Sequence, residues 1–529
     1  MKIVVADRIS ERGLALLAEP GWLVATPPAA ALTAELAEAD GLVVRSATRV
    51  TAELLGAASR LRVVGRAGVG VDNIDVEAAT ARGVLVMNTP GGNAVSVAEH
   101  AIALLLALAR QIPQFDAAIR AGRWQKSNAG VEVRGKTLGL VGLGRVGAEV
   151  ARRARAMEMQ VIAHDPFISE TFARDSGVEL VSLDDLLARA DFISLHTALT
   201  AATERLLNGA AIAKVKRGAR LINTARGELI DEAGLAEALQ SGHIAGAALD
   251  VFAEEPPRNS PLVGLPNVIA TPHVAGSTQE AQEEVGTLIA QQVRDYLTEG
   301  VMRNAVNLPA LSAEHYRRLR PYLTLAERLG AMAAQAAAGR MGRVRLTYAG
   351  EPAEVGTQLL RNAALAGLLN AVLEEKVNLV NAGSAATARG ISVEERTRRR
   401  EFGFPNTIEV LVSTGSSNAD RRELSIEGTA LHDAAPRVLR FDGIELEAPL
   451  DPGTLLLTRN RDVPGVIGQI GTALGNLGIN IATFALGRRS PERGADAMAL
   501  VRLDGEVPDS VAEAIRKIPA ITEARLIRL

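Results

Sequence analysis

Residues 137–147 read TLGLVGLGRVG, and this stretch decides the fold of the central part of the chain. An apolar run, predicted as a strand, leads into GLGRVG, and a predicted helix follows. Gly142 permits a tight turn, Gly144 lets the backbone approach a pyrophosphate, and Gly147 allows the helix to pack closely on the strand. The N-terminus of the helix favours negative charge. The stretch therefore predicts a Rossmann-type domain that binds a dinucleotide.

An acidic residue at the expected distance strengthens this interpretation. The next apolar run, QVIAHD, ends in Asp165, which follows the fingerprint at roughly the spacing of about 20 residues seen in dinucleotide-binding units. A carboxylate there accepts hydrogen bonds from ribose hydroxyls and favours NAD over NADP. A glycine-rich turn in an ordinary α/β domain is the alternative, but strand, turn, helix and acid together favour NAD as the cofactor.

Short apolar runs alternate with helical stretches on both sides of the fingerprint. Strand candidates before it are KIVVA, GLVVR, RVVGRAG and VLVMN, and those from residue 136 onwards are KTLGLVGLG, QVIAHD, FISLHT, ARLINTA, IAGAALDV and VIATPHV. Such alternation predicts parallel sheets covered by helices. Residues 96–125 are predicted as one long amphipathic helix followed by a polar arm. The helical segment 280–298 is expected to return to the first βα unit, which makes the N-terminal domain discontinuous.

The C-terminal part has a different rhythm. Residues 308–450 mix alanine-rich helices with strands and indicate an α+β module, whereas the segment after DPG at 451–453 has the βαββαβ order of a ferredoxin-like unit. The expected domains are residues 1–97 with 285–306, residues 98–284, residues 307–451 and residues 452–529.

Three loops that follow predicted strands carry charged or titratable side chains. NTARGELID places Arg226 after one strand, LDVFAEEPP places Asp250 and Glu255 after the next, and TPHVAGST places His273 after the last. Ligands of open α/β sheets bind beyond the carboxyl ends of the strands. Each of these residues alone is more often a surface residue. Their joint occurrence after a dinucleotide fingerprint favours a catalytic site.

The three side chains suit hydride transfer from a secondary alcohol. A neutral histidine, with a pKa near ~6.5, can take the hydroxyl proton as hydride leaves the carbon. Glu255 on the other ring nitrogen of His273 would fix the tautomer and stabilise the imidazolium. Arg226 can hold a substrate carboxylate with two hydrogen bonds and polarise the C2 oxygen.

The N-terminal unit offers a set of residues that could hold an anion. Arginines suit a phosphate, and the backbone amides of a glycine-rich turn can cradle a carboxylate. The candidates are Arg45, Ser46, Arg66, Val69, Gly70 and Asn93. A tight turn with surface arginines explains the same spacing equally well. His100 is predicted to be a helix-packing residue, and the run ERTRRR at 395–400 a solvated face, with an anionic effector site as the alternative.

Composition narrows the class of protein. The chain has 529 residues, a formal net charge of −3 and no cysteine, which excludes disulfides and thiolate chemistry. The small net charge argues against nucleic-acid or membrane partners. The N-terminus lacks a signal-peptide pattern, and the longest apolar run, residues 101–109, is too short to span a bilayer. We therefore expect a cytoplasmic protein with no metal site.

At these motifs the sequence resembles the D-isomer-specific 2-hydroxyacid dehydrogenases. The resemblance covers residues 1–305 through VVRSAT, GRAGVGVDN, TPGGN, VAEHA, GLGRVG, HDP, NTARGELIDE, GAALDVFAEEPP and TPHVAGST. It implies the catalytic residues Arg226, Glu255 and His273. It implies NAD contacts at Arg145, Val146, Asp165, Thr197, Thr224 and Asp250. It implies substrate contacts at Arg45, Arg66, Val69, Gly70 and Asn93, with Arg45 facing a phosphate. One departure is Ala198 in HTALT, where the family usually has proline.

The resemblance extends to the C-terminal modules. Residues 308–450 are similar to the intervening domain of the long forms, and 453–529 to an ACT domain, whose effector contacts would be Asn460, Asp462 and Asn480. The implied fold is α/β: a Rossmann-type NAD domain inserted in a flavodoxin-like substrate domain, then an α+β intervening domain and a C-terminal βαββαβ ACT domain.

The implied reaction is oxidation of 3-phosphoglycerate to 3-phosphohydroxypyruvate, the entry to serine biosynthesis, in a homodimer or homotetramer with L-serine as a possible effector. Two alternatives stay open. One is another 2-hydroxy acid substrate, with reduction of glyoxylate, hydroxypyruvate or 2-oxoglutarate. The other is a non-enzymatic scaffold that senses NAD.

Overall fold

The structure is a computed structural model of the chain. It describes residues 1–124, 126, 130–309, 313–337, 339–354, 356–373, 376–399, 404–415, 422–431, 435–492 and 494–529. Four sheets follow one another along the sequence, and each gathers its strands from one continuous segment.

The first sheet is parallel and has five strands in the order β2-β1-β3-β4-β5. This is the order of flavodoxin-like sheets. Its strands are short apolar runs because helices cover both faces. The elements are β1 (Lys2–Val5), α1 (Glu11–Leu17), β2 (Leu23–Ala25), a 3₁₀ turn (Ala29–Ala31), α2 (Leu32–Leu36), β3 (Gly41–Val44), α3 (Ala52–Ala57), β4 (Val63–Arg66), α4 (Val76–Ala81) and β5 (Leu85–Met87).

Two helices then lead to the second sheet, where the sequence predicted one. Helix α5 (Ala94–Arg110) ends at Gln111, whose φ is +52°, and α6 (Ile112–Arg120) starts directly after it. The left-handed residue turns the chain, so the axes of the two helices differ by 64°. In the described part of the chain no single helix is long and apolar enough to cross a membrane, and this bent pair passes only by length and composition.

The second sheet is parallel and has seven strands in the order β12-β11-β10-β9-β6-β7-β8. It contains the Rossmann order, extended by one strand. The elements are β6 (Thr137–Val141), α7 (Arg145–Ala156), β7 (Gln160–His164), α8 (Glu170–Asp175), β8 (Glu179–Leu180), α9 (Leu183–Arg189), β9 (Phe192–Leu195), α10 (Gly209–Lys214), β10 (Arg220–Asn223), a 3₁₀ turn (Gly227–Leu229), α11 (Glu232–Gln240), β11 (Gly246–Leu249) and β12 (Val268–Ala270).

Helix α12 (Gln279–Glu299) leaves the second sheet and packs on the first. The approach is close: a Cβ on Gly65 of β4 would lie 2.6 Å from Val293 and 2.8 Å from Ile289. Glycine at this position therefore lets the helix lie directly on the sheet. The chain thus returns to its first βα unit after completing the dinucleotide-binding sheet.

The third sheet has six strands in the order β14-β13-β15-β16-β17-β18, with only β13 and β14 parallel. Its elements are α13 (Ala313–Ala336), β13 (Met341–Ala349), α14 (Glu351–Glu354), α15 (Thr357–Asn370), α16 (Ala382–Ala388), β14 (Ser392–Arg398), β15 (Thr407–Thr414), β16 (Arg422–Ala430), β17 (Pro436–Phe441) and β18 (Ile444–Pro449).

The charged run ERTRRR falls mainly in β14, an edge strand that the sequence did not predict. Arg396 in this strand lies 3.7 Å from Glu394, and Arg398 donates to Glu427 of β16, so part of the positive charge is balanced within the sheet. Arg400, the last residue of the run, lies outside the described residues.

The fourth sheet is antiparallel, in the order β20-β21-β19-β22. Its elements are β19 (Thr454–Arg461), α17 (Val466–Asn476), β20 (Ile481–Arg488), β21 (Asp496–Leu503), α18 (Ser510–Arg516) and β22 (Ile521–Arg528). The predicted βαββαβ order is confirmed, and with it the predicted α/β fold class with two further modules.

Candidate active site

The three catalytic candidates lie at one edge of the second sheet. Strands β10, β11 and β12 are parallel neighbours, so their carboxyl ends meet, and the loops that carry Arg226, Glu255 and His273 follow these ends in that order. The first two loops touch: a Cβ on Gly227 would lie 1.9 Å from the carbonyl carbon of Phe252. Only glycine permits this contact, which holds the Arg226 loop against the loop that leads to Glu255.

His273 and Glu255 form a direct pair. Nδ1 of His273 lies 2.8 Å from Oε2 of Glu255, and the other carboxylate oxygen accepts the backbone N–H of Phe252 at 3.2 Å. An ionised carboxylate only accepts hydrogen bonds, so Nδ1 carries the ring proton when His273 is neutral. Nε2 is then left as the acceptor. The side chain of His273 is half exposed, at 51%, and a substrate can reach it.

Asp250 holds the backbone around His273. The N–H of His273 donates to the main-chain oxygen of Asp250 at 2.8 Å, and the carboxylate accepts the N–H groups of Val274 at 3.0 Å and Ala275 at 2.9 Å. Burial favours a higher pKa for Asp250, but the hydrogen bonds outweigh burial and lower the pKa below its ordinary value. The resemblance implies an NAD contact for Asp250, whereas both its carboxylate oxygens bind its own neighbouring loop.

The side chain of Arg226 extends to the loop between β4 and α4, in the part of the chain that forms the first sheet. Its Nη2 lies 2.9 Å from Oδ2 of Asp72, and its Nη1 donates to the main-chain oxygen of Ala225 at 2.7 Å. A Cβ on Gly70 would lie 2.1 Å from the same Nη2. The guanidinium therefore lies directly over the glycine-rich turn that was predicted to hold a carboxylate. Asp72 was not among the predicted site residues.

Arg66 lies near both Arg226 and Arg45, and these three arginines outnumber the two carboxylates beside Arg66, Asp72 and Asp7. Burial lowers the pKa of Arg66, and the positive charges of Arg226 and Arg45 lower it further, although Asp72 opposes them. Nε of Arg66 is buried and has no hydrogen-bond partner among the described residues. Three guanidinium groups held this close favour an anionic ligand between them.

The remaining substrate candidates lie on three loops of the N-terminal segment. The backbone N–H of Arg45 donates to Asp7 at 2.6 Å, which fixes the loop, and Ser46 follows it with an exposed side chain. Val69 is partly exposed, and its carbonyl accepts from Asn88 at 2.5 Å. Asn93 is the residue before α5, and its Nδ2 lies 2.6 Å from where a Cβ on Gly276 would be, in the loop of His273.

The glycines of the fingerprint have distinct environments. Gly142 has φ +96°, and a Cβ there would lie 2.7 Å from the main-chain oxygen of His196. A Cβ on Gly147 would lie 2.3 Å from the oxygen of Gly142. By contrast, no described atom lies within 4 Å of a Cβ on Gly144, which begins α7. The first and third glycines thus serve the fold, and the second leaves space at the helix N-terminus.

The side chain of Asp165 is held at the end of β7. One carboxylate oxygen accepts the N–H of Leu143 at 2.9 Å, and the other accepts the N–H of Phe167 at 2.9 Å. These bonds place a partly exposed carboxylate beside the glycine turn, where the ribose of a dinucleotide would lie.

The other cofactor candidates line the same edge. Arg145 and Val146 form the first turn of α7, and the Arg145 side chain lies against Gly91 of the first segment. Thr197 follows β9, and Thr224 follows β10 with a buried hydroxyl that has no partner among the described residues. The open space at Gly144, the Asp165 carboxylate and this unpartnered hydroxyl fit NAD.

His196 was missed by the sequence reasoning. It follows β9, its Nε2 lies 2.9 Å from Oγ of Ser194, and burial lowers its pKa to about 4, so the ring is neutral at neutral pH. In the same HTALT stretch, the loop with Ala198 in place of the family's proline is closed by Thr203, whose hydroxyl donates to the Ala198 carbonyl at 2.7 Å. The hydroxyl supplies a local restraint where the ring is missing.

His100 is more than the packing residue predicted from sequence. Its Nε2 lies 3.2 Å from Oγ1 of Thr271 and 3.5 Å from Oδ1 of Asp250. Helical spacing alone shows no sign of this role, because Asp250 is 150 residues away in the chain and Thr271 is 171 residues away. The structure places a titratable ring directly behind the His273 loop.

The three effector candidates are not brought together in one chain. Asn460 is buried at the end of β19, and Asp462 follows it and pairs with Nε of Arg488 at 3.2 Å. Asn480 precedes β20 and donates to Asp504 at 2.7 Å. Strands β19 and β20 both begin opposite Leu503, so Asn480 lies at the end of the sheet away from Asp462.

Comparisons with known proteins give consistent results for the whole chain. The family model for the D-isomer specific 2-hydroxyacid dehydrogenase NAD binding domain matches residues 102–275. The D-3-phosphoglycerate dehydrogenase intervening domain matches residues 318–442, and the ACT domain matches residues 454–520.

Full-length relatives match from end to end. The D-3-phosphoglycerate dehydrogenase of Methanocaldococcus jannaschii is 43% identical, with 100% of both chains covered. That of Bacillus subtilis is 40% identical, covering 100% of this chain and 99% of the relative.

Solved structures match a little more than half of the chain. A Thermus thermophilus protein is 38% identical with a TM-score of 0.53, covering 58% of this chain and 100% of its own. An NAD-dependent formate dehydrogenase from Staphylococcus aureus, solved in complex with NAD, is 28% identical with a TM-score of 0.52, covering 59% of this chain and 100% of its own.

Proposed function

The chain belongs to the D-3-phosphoglycerate dehydrogenases, and on that premise we propose that it oxidises the C2 hydroxyl of 3-phospho-D-glycerate to the ketone of 3-phosphohydroxypyruvate. It is an NAD-dependent dehydrogenase with an ACT domain. The observation that carries the proposal is the 2.8 Å pair between His273 and Glu255 at the edge of the sheet that also holds Arg226. The reaction is the first step of serine biosynthesis.

His273 is the proton acceptor in this proposal. Its Nε2 takes the C2 hydroxyl proton, and the positive charge that develops on the ring is stabilised by Glu255 at Nδ1. NAD, when bound along Gly144, Asp165 and Thr224, supplies the acceptor for the hydride that leaves C2. Because Nδ1 is already committed to Glu255, the ring needs no tautomer change before it accepts the proton.

The cationic region selects the substrate. Arg226 holds the carboxylate and the C2 oxygen, in exchange for its contact with Asp72, and Gly70 lets the guanidinium lie directly over the glycine-rich turn. Arg45 and Arg66 lie farther along the same cluster and are assigned to the phosphate. A substrate with two anionic groups would thus engage three guanidinium groups that otherwise repel one another.

A substrate profile tests this assignment. NADH oxidation with 3-phosphohydroxypyruvate should exceed that with hydroxypyruvate, glyoxylate or 2-oxoglutarate in kcat/KM. We expect a preference of at least about a hundredfold, because the desolvated arginines lose their partner when the phosphate is absent. Equal values for phosphorylated and unphosphorylated acids would contradict the phosphate assignment. Lack of turnover with every 2-oxo acid would favour an NAD-sensing scaffold instead.

Regulation by L-serine is the finer part of the proposal. Asn460 and Asp462 lie at one end of the fourth sheet and Asn480 at the other, so one serine could contact all three only if a second copy supplied the missing side. This supports a homodimer or homotetramer in which ACT domains of two cytoplasmic chains pair edge to edge. Titration of the activity with L-serine tests it, and loss of the response in Asn480→Ala is expected.

A further inference from the structure

The histidine loop, residues 271–278, is attached to α5 at both of its ends. At the start, Oγ1 of Thr271 lies 3.2 Å from Nε2 of His100. At the end, Oγ1 of Thr278 lies 2.7 Å from Oγ of Ser96. Ser96 and His100 are four residues apart on α5 and therefore occupy the same face of the helix. One helix face thus holds both threonines that bound the TPHVAGST segment.

The middle of the loop touches the same helix. Nδ2 of Asn93 lies 2.6 Å from the point where a Cβ on Gly276 would be, so only glycine allows the loop to lie this close. Asn93 is the residue before α5, three positions ahead of Ser96. The loop therefore follows the first two turns of the helix from end to end.

The contact with His100 continues to the backbone of His273. The Thr271 hydroxyl has one proton, and it donates to Oδ1 of Asp250 at 2.5 Å, so at Nε2 of His100 it must act as an acceptor. Asp250 in turn accepts the N–H of His273 on its main-chain oxygen at 2.8 Å and the N–H groups of the next two residues on its carboxylate. His100 is thus the outer end of one hydrogen-bonded chain.

The conformation of His273 explains why such anchoring is needed. Its φ is +52°, in the left-handed region that non-glycine residues seldom occupy. Such a residue persists only where its surroundings hold it. The loop is otherwise open, with His273 half exposed, so its own packing does not hold it.

We propose that Ser96 and His100 are positioning residues for the catalytic loop, which hold Thr278 and Thr271 so that Nε2 of His273 stays aimed at the substrate. The inference rests on the proposed role of His273. It assigns α5 a task beyond joining two sheets: the helix that starts at the substrate candidate Asn93 also fixes the proton acceptor. Substrate contact and proton transfer are therefore set by one rigid element.

His100→Ala in the full-length chain tests the proposal. We expect kcat to fall about tenfold to a hundredfold, because small displacements of a reacting group have effects of that size. The KM for NAD should change less than about threefold, since Asp250 is the one cofactor candidate in this hydrogen-bonded chain and its carboxylate stays bonded to the N–H groups of Val274 and Ala275. His100→Gln, whose amide can still donate to Thr271, should recover most of the loss. Val95→Ala is the matched control. Val95 lies next to Ser96 on α5, is 50% exposed, and its replacement should keep full activity.

A second variant makes the test independent of the fold of the first. Thr271→Val should lower kcat by a similar factor, and combining it with His100→Ala should cause little further loss, because both break the same chain. Full kcat in His100→Ala, or failure of glutamine to restore any of a loss, would overturn the proposal. If His273→Ala kept full turnover, the proposed function itself would fall instead.

Discussion

The single hydrogen bond from Nδ1 of His273 to Glu255 determines which ring nitrogen can do chemistry. Because the carboxylate accepts a hydrogen bond from the Nδ1–H group, only Nε2 is available to a substrate. The sequence was enough to predict that the residues after three strands lie together, because parallel strands present their carboxyl ends at one edge of the sheet. The roles of Arg226, Glu255 and His273 remain predictions that kinetics must test.

Removing the imidazole should separate chemistry from binding. In His273→Ala, kcat should fall by about 10²- to 10⁴-fold, which is the usual contribution of a positioned base. The dissociation constant of NAD should stay nearly unchanged, because the fingerprint and Asp165 are untouched. Steady-state kinetics and a fluorescence titration with NADH measure the two quantities. An equal loss of cofactor affinity would show that His273 has a binding role instead.

His196 makes a prediction about stability and pH. Its pKa is about 4 in the folded chain and near ~6.5 when unfolded, so between these values the unfolded state binds more protons. Stability therefore falls as the pH drops from about 6.5 towards 4, by up to about 3 kcal/mol, an upper limit because the ring keeps some solvent exposure.

His196→Gln should lose this dependence. The drop in the thermal unfolding midpoint from pH 7 to pH 5 should be smaller in the variant than in the parent chain, as measured by calorimetry. A drop of the same size in both chains would show that His196 is not the group that titrates.

Two partners at the site could not have been found from sequence. Asp72 meets Arg226 over a separation of 154 residues, and His100 meets Thr271 over 171. Neither pair has a local pattern. The contact of Asp72 depends on how two sheets are placed relative to each other, and that of His100 depends on how α5 packs on the second sheet. The rule that ligands bind beyond the carboxyl ends of parallel strands locates residues at one sheet. It does not predict which residues of other elements they contact.

At the scale of elements, local signals worked where glycine or apolar periodicity was strong. The strand, turn and helix around GLGRVG were predicted, whereas β14 was missed because its charged residues gave no apolar alternation. The break at Gln111 was missed although Pro113, in the first turn of α6, signals it, because a proline in a helical pattern ends or kinks the helix just before it.

The fingerprint glycines should respond differently to a single methyl group. Gly144→Ala should leave the thermal midpoint nearly unchanged, since no described atom lies within 4 Å of the new Cβ, but should weaken NAD binding at least about tenfold because the methyl enters the pyrophosphate space. Gly142→Ala is the contrasting variant. This substitution should reduce the free energy of unfolding by about 1–3 kcal/mol, because Gly142 has φ +96° and a Cβ there would lie 2.7 Å from the main-chain oxygen of His196.

Calorimetry and cofactor titration of both variants distinguish the two roles. Unchanged NAD affinity in Gly144→Ala would place the pyrophosphate elsewhere.

At the scale of the whole molecule, one apolar cluster joins the first sheet to the third and fourth. It includes Ile3, α13 residues such as Leu319 and Met332, and Leu457 of β19. Gln335 near the end of α13 also exchanges two hydrogen bonds of 2.9 Å with the backbone of Arg528. The order of the modules was predicted, but this continuity was not, because the residues that form it are far apart in sequence. The exact domain boundaries stay predictions.

The proposed activity depends on Arg226, Glu255 and His273 acting on one substrate. A crystal structure of the full chain with NAD and 3-phosphoglycerate tests this most directly. We predict that Nε2 of His273 lies about 2.6–3.2 Å from the C2 hydroxyl oxygen, with the carboxylate on Arg226 and the phosphate on Arg45. A substrate whose C2 hydroxyl lies at another edge of the sheet, out of reach of His273, would contradict the proposed active site.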